Sequence, residues 1–194
     1  MRIIGGTFRG RRLMAPLEAA SSKATTRPTT DRTRETLFNF LLHNPTLNMS
    51  SLAGCHVLDC FAGTGALGLE ALSRGASHVT FIENNPQTLR VLRHNVELLG
   101  AKDHTRISPI SVLNLAGARE VFQLVFLDPP YHGNLVKPTL EVLRKKGWID
   151  TTSLIVVEAA IDEMVALPQG FHISLERNAK PAKIMFLKYE DEVL

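Results

Sequence analysis

Between residues 55 and 158, short apolar runs alternate with amphipathic stretches, and each amphipathic stretch stops at a glycine. The runs at 56–60, 78–83, 105–111, 124–128 and 153–158 read as strands. Helices are expected between them, at 65–74 closed by Gly75, at 86–99 opened by Pro86 and closed by Gly100, and at 135–146 closed by Gly147. Parallel neighbours need a crossover long enough to hold a helix, so this alternation builds a parallel sheet with helices on its faces. Beyond Pro168 the period shortens to that of strands, in 171–175 and 184–189, around the turn-like stretch 178–181. The expected fold class is therefore α/β, Rossmann-like: a seven-stranded, mostly parallel sheet ending in an antiparallel hairpin.

The N-terminal stretch reads differently. Residues 2–13 are two short runs about Gly5-Gly6, which predicts a β-hairpin with an arginine-rich outer face. Residues 15–30, rich in Ala, Ser, Thr and Pro, read as a loop, and Thr30-Asp31 offers a cap for a helix to His43 with Leu37, Phe38, Leu41 and Leu42 as its apolar stripe. Asn44-Pro45 ends that helix. The expected division is an arm at 1–30 and one domain at 31–194, since 194 residues leave no room for a second full domain.

Charge divides the same way. Residues 1–34 carry eight Lys/Arg against Glu18 and Asp31, a local +6, while the other 160 residues carry 14 Lys/Arg against 17 Asp/Glu, or −3. A basic arm on a mildly acidic body is an electrostatic footprint for a polyanion, most commonly nucleic acid, and equally what a solvated terminus looks like. Two cysteines, Cys55 and Cys60, make neither a disulfide framework nor a zinc site. The first twenty residues lack the apolar core of a signal peptide, and no apolar run approaches the roughly 20 residues of a membrane span. A cytoplasmic protein is expected.

The chemistry concentrates at strand ends. Residues 57–68 run from a strand through a glycine turn into a helix, with Gly63, Gly65 and Gly68 spaced G-x-G-x-x-G and Glu83 twenty residues after Gly63, where a ribose-binding acid belongs. A nucleoside cofactor is indicated. Asp59 discriminates among such cofactors: a carboxylate at this strand end repels a pyrophosphate, whereas the ammonium of the methionine moiety of S-adenosylmethionine needs acceptors there. The plain alternative is that the glycines only pack helix on strand while Asp59 caps the helix.

Asp128-Pro129-Pro130-Tyr131 stands at the end of the fourth strand, where open α/β sheets bind ligands. Consecutive prolines fix an extended turn. The carboxylate and the Pro129 carbonyl are then acceptors suited to an exocyclic amino group, and the tyrosine is a platform for a planar base. Cys60, with no base beside it, reads as packing, Trp148 as a core plug, and the seven histidines show no ligand spacing, so no metal is expected.

Asp59-x-Phe61-x-Gly63-x-Gly65, Glu83 and Asp128-Pro129-Pro130-Tyr131 resemble the class I S-adenosylmethionine-dependent methyltransferases of exocyclic amino nitrogens. With Arg2-Ile3-Ile4-Gly5-Gly6, Arg9-Gly10-Arg11, Arg27-Pro28-Thr29 and Arg32-x-Arg34-Glu35-x-Leu37-Phe38-Asn39, the chain is similar to the RsmD-like enzymes that make N2-methylguanine in bacterial 16S ribosomal RNA. The resemblance implies that Asp59, Phe61, Ala62, Gly63, Thr64 and Gly65 line the methionine end of the cofactor, that Glu83 and Asn84 meet the ribose, and that Ser111 and Val112 stand at the adenine, where an acid is common in the class. Asp128, Pro129, Pro130 and Tyr131 would be catalytic, and Arg9, Arg11, Arg12, Arg27, Arg32 and Arg34 would bind RNA, in a monomer acting on 16S RNA within a small-subunit particle. Adenine-N6 methylation, a nicotinamide-dependent reductase and a non-catalytic RNA-binding assembly factor are the alternatives.

Overall fold

The computed structural model describes residues 1–15 and 31–191. Its sheet has seven strands: β1 (His56–Cys60), β2 (His78–Ile82), β3 (Thr105–Ser108), β4 (Leu124–Leu127), β5 (Leu154–Ala160), β6 (Phe171–Ala179) and β7 (Ala182–Tyr189). Their order is β3-β2-β1-β4-β5-β7-β6, and only the pairings of β7 with β5 and β6 are antiparallel. The helices are α1 (Asp31–His43), α2 (Ala66–Ser73), α3 (Pro86–Leu98) and α4 (Val136–Lys145). This is the class I methyltransferase fold. No helix among the described residues is long and apolar enough to cross a membrane.

Alternation along each strand sends apolar side chains to both faces. Val57, Phe81, Phe126, Val156 and Phe186 pack under α1, α2 and α3, while Leu58, Ile82, Val125, Ile155 and Leu187 pack with α4 on the other face. Central strands buried on both sides read as continuous apolar runs, which is why their sequence signal is strong. Gly68 enters α2 within van der Waals distance of β2, where a Cβ would lie 2.4 Å from Phe81 and 2.7 Å from Val79.

The differences from expectation are local. β3 stops at Ser108, three residues early, because Ser111 opens a 3-10 turn, Val112–Asn114, with its hydroxyl accepting from Leu113 N. β6 runs on to Ala179 and β7 begins at Ala182, so half of the expected turn is strand and the chain reverses at Lys180-Pro181. Trp148 stacks on Phe122 with ring centroids 5.4 Å apart and donates to Ala116 O at the margin of the core.

The N-terminal arm is not a regular hairpin. One isolated bridge joins Arg2 to Arg12, and the rest is a looped turn closed by Gly10 N to Ile3 O and Ile3 N to Arg11 O. Nor is it a free appendage. Buried Glu70 on α2 accepts from Ile4 N at 2.7 Å, Gly5 N at 2.8 Å and Arg74 Nε at 2.7 Å, while Phe8 N donates to Ser73 Oγ. Ile3 and Leu13 join the core. Asn95 of α3 closes the arm by accepting from Met14 N and donating to Met14 O and Thr64 O.

Candidate functional site

The ends of β1, β2, β4 and β5 meet at the carboxyl edge of the sheet. Phe61, next after β1, has φ 58°, a left-handed backbone that costs a residue with a Cβ about 1–2 kcal/mol and clusters at functional turns. Gly63 follows at φ 56°, and a Cβ built there would meet only its own loop, Phe61 O at 3.9 Å. Gly65, at φ 80°, is a packing glycine, since a Cβ there would lie 2.4 Å from Leu92. Ala62 N is tied to Ile82 O, and Asn95 holds Thr64 O. The loop is thus fixed on three sides, and Gly63 leaves space open above it.

Asp59 lies at 1% exposure, and its Oδ2 accepts from Gly68 N at 2.9 Å, so it does cap α2. The capping role and a ligand role coexist in the same carboxyl. No Lys, Arg or His among the described residues forms a salt bridge with it, and burial pushes its pKa up to about 8, with the Glu83 charge adding to the rise. Glu83 splits its oxygens: one accepts from Gly63 N at 2.9 Å, the other from Asn84 N and Asn85 N at 2.8 Å. The acid therefore spans the cleft from β2 to the glycine loop. Ser111 and Val112 lie in the turn after β3, with Val112 buried and Ser111 partly exposed.

β1 and β4 end level, Cys60 opposite Leu127, which places Asp128 beside the glycine loop. Asp128 and Glu158 each follow a buried residue of the α1 face by two positions, Phe126 and Val156, and so emerge on that face. Tyr131 donates its hydroxyl to Glu158 Oε1 at 2.9 Å. Burial, the Glu158 charge and the Asp59 charge together hold the Asp128 carboxyl well above the usual carboxylate range, and burial with Glu158 also pushes the Tyr131 phenol up. Pro129 is buried and Pro130 exposed, so the turn has one wall in the protein and one facing solvent. Glu158 escaped the sequence reading. Its only signal was an acid at the end of an apolar strand, and its partnership with Tyr131 depends on the β4–β5 pairing.

The arginines divide. Arg34 is not available to a nucleic acid: it is fully buried, donating to Arg2 O and to Asp31 Oδ1 at 2.8 Å. Position 34 on α1 faces inward beside Leu37 and Phe38, where Asp31 balances its charge and the arm's Arg2 carbonyl accepts a further hydrogen bond. Arg11 donates to Leu98 O at the C-terminal end of α3, where a cation complements the helix dipole. Arg9, Arg12 and Arg32 are exposed, and Arg27 lies outside the described residues. The tip of the arm rests on Ser73, the last residue of α2. Helix α2 runs from the carboxyl ends of the strands toward their amino ends, so Arg9, near the tip, stands away from the cleft.

A family model described as conserved hypothetical protein 95 matches residues 1–188. The ribosomal RNA small subunit methyltransferase D of Escherichia coli is 36% identical over 193 residues, covering 99% of this chain and 90% of that protein. Its Haemophilus influenzae counterpart is 35% identical, covering 91% and 88%. Among solved structures, an Escherichia coli protein described as a methyltransferase superimposes with a TM-score of 0.80 at 34% identity over 99% of both chains. A Haemophilus influenzae methylase gives 0.76 at 30% identity over 98% and 99%. With the match running from the arm through the carboxyl edge into β7, the chain belongs to the conserved hypothetical protein 95 family, the RsmD family that its motifs resemble.

Proposed function

We propose that this protein transfers a methyl group from S-adenosylmethionine to the exocyclic N2 of a guanine in 16S ribosomal RNA, as a cytoplasmic monomer acting on a small-subunit particle. The observation that carries the reading is the position of Asp128-Pro129-Pro130-Tyr131, at the end of β4 beside the loop that follows Asp59. Relatives named for small-subunit ribosomal RNA methylation support the substrate class.

The residues fit the cofactor on two counts. Gly63 leaves open space where the backbone must approach a ligand, and Asp59 is a buried acid without a cationic partner among the described residues. Asp59 and the loop Phe61, Ala62, Gly63, Thr64 and Gly65 would hold the methionine end, Glu83 and Asn84 the ribose, and Ser111 and Val112 the adenine. S-adenosylmethionine supplies an electrophilic methyl on a sulfonium, so the protein's task is chiefly positioning.

Asp128 and the Pro129 carbonyl accept from the target amine, turning its lone pair toward the methyl. A carboxyl held at raised proton affinity by burial and Glu158 is also suited to take the proton that the amine releases. Glu158 adds acceptor character to the same face. Guanine presents N1–H beside its amino group, whereas adenine presents a lone pair there, so an acceptor-rich edge favours guanine. Tyr131 stacks on the base once it has left its helix.

The test is nucleoside mass spectrometry of unmodified 16S RNA, free and in assembled subunits, after incubation with protein and S-adenosylmethionine. N2-methylguanosine is expected. N6-methyladenosine, or no transfer to either substrate, overturns the assignment.

A further inference from the structure

Hairpin β6–β7 turns at the carboxyl edge. Ala182 pairs with Ala160 at the end of β5, and Ile161 N donates to Pro181 O. Between this hairpin and the exposed side of α1 lies a groove with a volume of about 490 Å³, lined by Arg32, Phe40, Arg177, Asn178, Lys180 and Phe186 among others. Among the described residues that line it there is no Asp or Glu. Ile184, also in its wall, pairs in register with Glu158, so the groove begins one strand from the acid that holds Tyr131.

Its chemistry suits a nucleotide chain. Arg32, Arg177 and Lys180 are exposed cations at one edge. The Arg177 guanidinium lies 4.7 Å over the Phe40 ring, so its outer face is a planar, charged platform, and Asn178 beside it offers both a donor and an acceptor. Cations along a groove with a stacking surface are the two requirements of single-stranded recognition. The arm does not supply them at this edge, because its tip is pinned to the far end of α2, and of the two arginines at the start of α1 Arg34 is buried while Arg32 lines the groove.

We propose that the groove between α1 and the β6–β7 hairpin holds the single-stranded RNA that flanks the target nucleotide, with Arg32, Arg177 and Lys180 on its phosphates and a base stacked on Arg177. This deepens the reading of the protein as an RNA methyltransferase and rests on it. An extruded base drags its neighbours out of regular stacking, and a strand leaving Tyr131 past Glu158 meets this groove first.

The experiment compares wild type, Arg177→Ala/Lys180→Glu, and Arg177→Lys. Binding of a short fluorescein-labelled single-stranded RNA is followed by anisotropy across a salt series, and methyl transfer is followed on unmodified 16S RNA, free and in assembled subunits. In the double variant, RNA affinity should fall several-fold and the slope of log affinity on log salt should flatten by about 0.7 for each phosphate that is no longer neutralised. The KM for RNA should rise while cofactor affinity and melting temperature hold. Arg177→Lys should keep the slope and still weaken binding, since it keeps the charge and loses the plane. Unchanged affinity and slope in the double variant overturn the proposal. So does a defect seen only on assembled subunits, which would place a protein on this face. Failure of the wild-type enzyme to methylate either RNA would instead sink the functional reading, while the anisotropy arm still reports on the groove.

Discussion

Replacing Asp59 by asparagine should make the protein more stable and less able to bind its cofactor, and the stability gain should depend on pH. In the folded protein burial holds the Asp59 proton until about pH 8, whereas the ordinary value is 3.8. Between those limits the folded state binds more protons than the unfolded one, so stability falls as pH rises, and the loss is complete only above about pH 8. At about 1.4 kcal/mol per pH unit the upper limit is about 6 kcal/mol. Local relaxation and water entry relieve part of that cost, leaving about 2–4 kcal/mol. Asparagine keeps the shape and, through its oxygen, the acceptor for Gly68 N.

Melting temperatures of the two proteins should therefore coincide near pH 4 and diverge as pH rises. The variant should lead by about 5–15 °C at pH 8–9, taking about 2–4 °C per kcal/mol for a chain of this size. Calorimetry with S-adenosylmethionine supplies the other half. Wild-type affinity should rise with pH toward 8 as the carboxyl ionises to meet an ammonium, and the variant should bind weakly with no such rise. A melting difference that is flat from pH 4 to 9 would refute the argument that Asp59 is a buried acid kept for a cation.

Gly63→Ala should cost the fold only about 1 kcal/mol, from its left-handed backbone, yet lower cofactor affinity sharply. Gly68→Ala should do the reverse, destabilising by about 1–3 kcal/mol against Phe81 and Val79; melting curves and calorimetry read both. Glu70→Ala strips two backbone donors and Arg74 of their acceptor and should cost about 3–5 kcal/mol in denaturant unfolding, with the arm released to proteolysis. Asp128→Asn should lower turnover about a hundredfold or more in single-turnover assays at saturating cofactor while binding S-adenosylmethionine nearly as well. Tyr131→Phe keeps the stacking ring but releases Glu158, so its turnover should fall less than that of Tyr131→Ala, which also loses about 1–3 kcal/mol of stacking, read as a raised KM for RNA.

What could be read in the sequence was what is local. The strand ends that carry Asp59, Glu83 and Asp128 are fixed by apolar runs of a few residues and by the glycines and prolines that stop them, all within a dozen positions of one another. A parallel sheet then brings every carboxyl end to one edge, so placing those residues on strands already brought them together. The end of β3 slipped where a polar residue offered the backbone a competing partner, the Ser111 hydroxyl accepting from Leu113 N.

Pairings set only by tertiary contact were silent. Arg34 reads as one more cation in a basic stretch, and nothing within ten residues of it says that Arg2 O will lie against its guanidinium. Glu70 interrupts an apolar helix in the manner of a solvent-facing position, yet it is buried because the arm's N–H groups come from 65 residues away to meet it. The same logic divides the cations. Those near the N-terminus are conspicuous because they are clustered, but folding buries Arg34 against Arg2 O and Asp31, ties Arg11 to Leu98 O and carries Arg9 to the far end of α2. Arg177 and Lys180 lie more than 140 residues along the chain from Arg32 and draw no notice in a charge plot, yet one hairpin and one helix set all three along a single groove at the edge where the chemistry lies. Charge density along a chain therefore locates a polyanion's binding surface only after the fold has sorted which charges are bound within the protein and which reach the working edge.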